Sequence, residues 1–150
     1  YEIRLSLVGS EMCKETDQIP LFPFGYGLSY TTFAYGTPRL YKTSGAKNAP
    51  IKVTFTVTNT GKRAGATVPQ IYIGKPSQQG IPVPPKELAG FRKIYLCPGE
   101  TKTVTITVEP RQLAYWNTQA DRFVVMPGLY RIYLGSNVNN TPSMVTYTVR

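Results

Sequence analysis

The sequence predicts an all-β chain, a seven-stranded antiparallel β-sandwich. Three features of its 150 residues carry that expectation. Apolar residues alternate with threonine over two eight-residue stretches, short runs of similar pattern recur with turn signals between them, and one segment alone suggests a helical turn.

The first strand-like run lies at 37–43. "IKVTFTVT" then sets Ile51, Val53, Phe55 and Val57 against Lys52, Thr54, Thr56 and Thr58, the period of two that puts alternate side chains on opposite faces. The run at 66–73 contains Pro69, which cannot donate to a ladder, and its apolar parity shifts between Val68 and the pair Ile71 and Ile73; a bulge or an edge is expected there. A run at 88–96 follows, and "TKTVTITV" repeats the alternation with Val104, Ile106 and Val108. "YRIYL" sets Tyr130, Ile132 and Leu134 against Arg131 and Tyr133, and "VTYTV" adds Val145, Tyr147 and Val149. Thr43-Ser44-Gly45, Asn59-Thr60-Gly61, Pro98-Gly99 and Pro127-Gly128 punctuate the runs. "PRQLAYWN", 110–117, reads as a helical turn with Pro110 at its first position, and Trp116 falls within it. Ile51, Val53, Phe55, Val57, Val104, Ile106, Val108, Ile132 and Leu134 are the expected core. Tyr130 is the candidate for a tyrosine corner, a buried ring whose hydroxyl returns to backbone a few residues upstream.

With 41% hydrophobic residues the chain has enough apolar surface for one core, so a single domain is expected. No apolar run approaches the roughly 18 residues that would span a bilayer, no signal peptide opens the chain, and a start at Tyr1 reads as a piece of something longer. Charge is uneven. In residues 1–20 four acids meet two bases, so the remainder carries +11 of the net +9. Such a body suits acidic or polyphenolic surfaces and equally serves solubility, and its bases are scattered rather than in runs. Cys13 and Cys97 fit no metal or redox spacing; they pair or stay free. Asn139-Asn140-Thr141 is a glycosylation sequon.

The chemistry is mostly absence. The chain contains no histidine, which excludes Ser-His-Asp and Cys-His catalysis and His-ligated zinc. Gly25-Tyr26-Gly27 reads as a tight turn among aromatics, not a phosphate loop, because no helix or Lys-Ser/Thr follows. Glu87, Glu100, Glu109 and Asp121 stand beside Lys86, Lys102, Arg111 and Arg122, as solvated ion pairs do. No metal or cofactor, nucleic acid or membrane is expected as a partner.

"PLFPFGYGLSYTTFAY", "VTNTGKRAGATVPQIYIGKP", "PPKELAGFRKIYLCPGETKTVTI", "RQLAYWN" and "VMPGLYRIYLGS", in this order over roughly residues 20–136, closely resemble the C-terminal fibronectin type III-like domain of glycoside hydrolase family 3 enzymes, chiefly β-glucosidases. The resemblance implies an immunoglobulin-like sandwich over 31–150, preceded by a leader and domain-junction segment over 1–30. Phe22, Phe24, Tyr26, Leu28 and Tyr30 would then lie at an interface with the preceding α/β domain, which explains why so aromatic a segment follows neither strand nor helix period. It also implies that the chain is not an enzyme on its own and holds no catalytic residue. In the family the nucleophilic Asp sits in a barrel domain, typically in a Ser-Asp-Trp context, and the acid/base Glu in the α/β domain; here the single Trp116 follows Tyr115. A retaining mechanism needs two carboxyls about 5–5.5 Å apart. The implied partners are the catalytic domains of the parent, and the implied location is secreted, with the isolated chain a monomer. "LVGSEMCKETDQIP" lacks the family's aromatics before the junction, and "GSNVNNTPS" and Cys97 also depart from its pattern.

An alternative role is a polymer-binding module. By parity Tyr72, Tyr95 and Tyr133 point outward, as do Lys93 and Arg131, and in a fibronectin type III topology their runs are strands C, C′ and F of one sheet. That face would take lignin-like polyphenols or plant-wall polysaccharide, with rings for stacking and cations for charge.

Overall fold

A computed structural model of the chain describes residues 20–77 and 83–150. Two sheets face each other. In the first, β4 (Ile51–Asn59) pairs antiparallel along its length with β9 (Thr101–Val108), from Ile51 opposite Val108 to Thr58 opposite Thr101. That leaves the other edge of β4 to two short strands, β1 (Phe33–Tyr35) near its end and β2 (Arg39–Leu40) nearer its start. The second sheet has the order β3-β13-β12-β6-β7, built from β3 (Ser44–Gly45), β6 (Gln70–Gly74), β7 (Glu87–Phe91), β12 (Gly128–Gly135) and β13 (Ser143–Val149). Two further ladders join β5 (Gly65–Thr67) to β8 (Ile94–Leu96), and β10 (Ala114–Asn117) to β11 (Arg122–Val125).

The core is the set that alternation selects. Ile51, Val53, Phe55, Val57, Val104, Ile106 and Val108 of the first sheet are all buried, as are Ile132 and Leu134 of the second, and all join one core with Ile71, Ile73, Tyr130, Tyr147 and Val149 of the second sheet. Each such side chain contributes about 1.5–3 kcal/mol when removed from water. The intervening threonines face outward and pair across the strands, Thr54 with Thr105 at 3.0 Å and Thr58 with Thr101 at 2.7 Å. Tyr130 is the expected corner: its ring is fully buried and its hydroxyl donates to the Met126 carbonyl at 2.9 Å, with the Leu113 carbonyl at 3.3 Å.

The described residues are nearly all-β, as expected of the sandwich, and form thirteen strand segments rather than seven continuous runs. Three expected runs are broken, and each break is a change of partner. Of the run 37–43 only Arg39–Leu40 is strand: β2 pairs with β4, and just beyond the run the chain crosses to β3, which pairs in parallel with β13. The run 66–73 splits at Val68-Pro69, β5 joining β8 and β6 joining β12 and β7. The run 88–96 splits at Arg92-Lys93 for the same reason. The bulge itself lies on β7, where Gly90 and Leu88 oppose the consecutive Ile71 and Tyr72. Helix α1 is the single turn Pro110–Leu113 with Pro110 in its first turn; "AYWN" leaves it to become β10, so Trp116 is on a strand and not in a helical turn. At Cys97-Pro98-Gly99-Glu100 the Glu100 N–H donates to the Cys97 carbonyl at 3.0 Å, and Gly99 takes φ +73° as the third residue of a type II turn demands. Cys97 is exposed, and Cys13 lies outside the described residues.

Burial pushes the Tyr130 phenol up to about 12, only partly offset by its bond to Met126, and raises Tyr35 and Tyr72 as well. A native phenol that holds its proton longer than the unfolded one leaves stability intact below pH ~10 and loses it as pH rises from there toward 12. Urea midpoints measured from about pH 8 to 12 should therefore fall above ~10, by up to roughly 1.4 kcal/mol per pH unit for Tyr130 alone. Tyr130→Phe should make that fall shallower while lowering stability at neutral pH by about 0.5–1.5 kcal/mol.

Candidate functional site

Every residue of β6 is buried. Ile71 and Ile73 enter the core, but Gln70 and Tyr72 point to the other face, where the segment from Pro20 to Tyr30 lies across them as a strap. The strap is held by its backbone. Gln70 Nε2 donates to the Gly25 carbonyl at 3.0 Å and to the Ser136 carbonyl at 2.8 Å. The Tyr72 hydroxyl donates to Gln70 Oε1 and lies 3.4 Å from the Phe24 carbonyl, which also accepts the Val138 N–H at 3.0 Å. Pro23 to Tyr26 form a tight turn closed by the Tyr26 N–H on the Pro23 carbonyl at 3.0 Å, with Gly25 at φ +81°. A Cβ at Gly25 would collide with the Gln70 amide and the Tyr72 hydroxyl.

Because carbonyls face inward, the rings face out. Phe22 is 65% exposed, Phe24 58% and Tyr26 45%, while Leu28 and Tyr30 reach 88% and 93%. Phe22 and Tyr26 stack on each other with centroids 5.3 Å apart. All five residues expected at a domain interface are thus exposed to water in this chain.

The tyrosine-bearing face is placed differently. Tyr72 leaves the core side of its strand as parity predicts, yet it is 1% exposed because the strap covers it. Tyr133 sits opposite Tyr72 and is half-buried beneath Lys86, whose ammonium lies 4.8 Å from the ring centroid and is tied to Val138 O and Thr141 Oγ1. Tyr95 is exposed but belongs to β8, which pairs with β5 and not with this sheet. Lys93 stands in the β7–β8 link and Arg131 on β12, both exposed. Three tyrosines on one solvent face are therefore not present.

Charge pairing also departs from sequence neighbours. Glu87 pairs with Lys75 at 2.7 Å rather than with Lys86, and Lys75 also donates to the Ala114 carbonyl at 2.6 Å. Glu100 does pair with Lys102, at 3.0 Å; the Cys97 N–H and then Lys102 hold its carboxyl below the usual range. Neither Glu109 nor Asp121 forms an ion pair among the described residues. Those residues also contain no cluster of three metal-type ligands and no helix long and apolar enough to cross a membrane.

Two buried polar residues went unread in the sequence. One is Gln70, the strap's anchor. The other is Asn59, whose Oδ1 accepts Thr31 Oγ1 and the Gly61 N–H while its Nδ2 donates to the Arg63 and Leu96 carbonyls, all at 2.8–3.1 Å. The turn signal Asn59-Thr60-Gly61 was visible, but nothing local says that its amide would be enclosed.

Residues 67–138 match the model of the fibronectin type III-like domain. Thermostable β-glucosidase B of Acetivibrio thermocellus is 45% identical over 116 residues, 77% of this chain and 15% of the relative; a β-xylosidase of Formosa agariphila is 43% identical over 86% of this chain and 18% of its own length. Among solved structures, the β-glucosidase DesR of Streptomyces venezuelae in complex with D-glucose superposes over 96% of this chain with a TM-score of 0.83 and 37% identity, using 18% of that protein. The chain is a fibronectin type III-like domain of glycoside hydrolase family 3. It spans about a fifth or less of the curated relatives it matches, so this domain is an accessory part and not an enzyme on its own.

Gln70→Leu keeps size but removes the bonds to the Gly25 carbonyl of the strap and to the Ser136 carbonyl, and Gly25→Ala forbids the turn. Each should expose the amide of Val138 and the strap backbone, seen as at least tenfold faster hydrogen exchange there, while exchange in β4 and β9 stays slow.

Proposed function

We propose that this fibronectin type III-like domain stabilises a β-glucosidase-like family 3 hydrolase by docking on its catalytic part through the aromatic strap. The observation that supports the reading is the orientation of the strap: hydrogen bonds hold its backbone to the sandwich while Phe22, Phe24, Tyr26, Leu28 and Tyr30 present their side chains outward. Water is a poor partner for such a surface, and exposed aromatic patches of this kind mark interfaces. Covering the rings would contribute about 1.5–3 kcal/mol for each one fully buried. In this reading residues 1–30 form the leader and junction, 31–150 the supporting sandwich, and a parent acting on β-glucosides or β-xylosides carries both catalytic carboxyls elsewhere.

A chimera tests it. The matching segment of the Acetivibrio thermocellus enzyme is replaced by this chain, with and without Phe22→Ser, Phe24→Ser and Tyr26→Ser. The triple variant should lower the thermal midpoint of the chimera by several degrees while leaving the melting of the 150-residue chain alone nearly unchanged. An equal midpoint for both chimeras would remove the docking role. The chain by itself should release no product from aryl β-glucosides or β-xylosides.

A further inference from the structure

The end of the sandwich away from the strap holds a cleft of about 380 Å³ where the chain crosses from β2 to β3 and on to β4. Its walls include Tyr41, Lys42, Gly45, Ala49, Lys52 and Tyr147. From these residues we propose that the cleft binds a carboxylate-bearing pyranose, the uronic acid residue of an acidic glycan.

Tyr147 is 2% exposed, its ring lodged in the core, yet its hydroxyl makes no hydrogen bond among the described residues. Those residues contain no enclosed side-chain nitrogen or oxygen without a partner, so this hydroxyl must open into the cleft it lines. It reaches there because residue 45 is glycine: a Cβ at Gly45 would run into the hydroxyl. The result is a fixed donor and acceptor at the base of a concave site.

Charge and shape complete the fit. Lys42 and Lys52 are exposed and enter no ion pair among the described residues, where the carboxylates of Glu87 and Glu100 are engaged with Lys75 and Lys102. Two ammonium groups without a counter-ion among the described residues attract a carboxylate. Tyr41 is the cross-strand neighbour of Lys52, its N–H donating to the Lys52 carbonyl at 3.4 Å, and its ring is 84% exposed. It offers a flat apolar surface to the C–H face of a sugar ring, and Ala49 supplies a further apolar wall. Mostly apolar walls with a few converging polar groups are the usual make-up of a small-molecule site. In this arrangement the carboxylate meets Lys42 and Lys52, a ring hydroxyl meets Tyr147, and the ring stacks on Tyr41.

The strap lies at the other end of the sandwich from the cleft. The β12–β13 ladder runs from Gly128 opposite Val149 at the cleft end to Leu134 opposite Ser143 at the strap end, a distance of roughly 20 Å at about 3.3 Å per residue. The proposal therefore stands apart from the docking role.

Amide chemical shifts of the 150-residue chain, titrated with glucuronate, galacturonate and glucose, test it. Both uronates should perturb Gly45, Ala49 and Lys52, with glucose at least tenfold weaker and the uronate response reduced by raised salt. Lys42→Ala with Lys52→Ala should weaken uronate binding at least tenfold, and Tyr147→Phe several-fold without changing the circular dichroism spectrum. Equal binding of glucose and uronate, unchanged binding in the lysine double variant, or perturbation confined to the strap end overturns the proposal.

Discussion

Strand β6 is buried on both faces, and much of the architecture follows from covering it twice. An antiparallel sheet can leave one face in water, and β12 does so at Arg131. Its neighbour β6 cannot, because Gln70 and Tyr72 sit where solvent would be and the strap closes over them. Peptide carbonyls turned toward a buried amide and a buried phenol need partners, and they find them. That inward demand sends the aromatic side chains of the strap outward. One constraint thus seals the second sheet and leaves the aromatic side chains of the strap in water.

The two ends of the sandwich have different chemistry for the same reason of connectivity. At the end of β4 near Asn59, the strap, Thr31 and the loop after Ser136 gather around polar anchors. At the start of β4 near Ile51, the chain changes sheets between β2 and β3, and a change of sheet leaves a gap that neither sheet fills. The strap and the cleft, at opposite ends of the β12–β13 ladder, do not compete for surface.

Alternation read the core well because a period of two reports which face a side chain takes. Ile51 through Val57 and Val104 through Val108 are buried as that period requires, and Tyr130 returns its hydroxyl to Met126. Parity says nothing about what covers a face. Tyr72 was legible as pointing away from the core and illegible as buried, because its cover arrives from a segment more than forty residues upstream. Tyr95 lies off this sheet for a related reason: the strand-like run from 88 to 96 reads as continuous, while its backbone changes ladders at Arg92-Lys93. The segment Pro20 to Tyr30 has no readable period, and its folding back over Gln70 and Tyr72 was not legible in the sequence. The cleft was not legible, since Lys42, Lys52 and Tyr147 come together only when β3 crosses to β13.

Asn59 bears on folding fidelity. Strands β4 and β9 repeat the same two-residue unit, so sliding one past the other by two positions would still set apolar side chains opposite apolar ones over much of their length. Hydrophobic burial alone discriminates poorly between such alignments. The carboxamide of Asn59 is more exacting: its bonds to Thr31, Gly61 and Arg63 hold the amide in place at the end of β4, and its bond to the Leu96 carbonyl, on the segment that leads into β9, forms in one alignment only. A slipped chain would leave buried polar groups unpaired at about 1–3 kcal/mol each. The amide therefore acts as a key for strand alignment, a directional check on a pairing that the repetitive pattern would otherwise leave nearly degenerate.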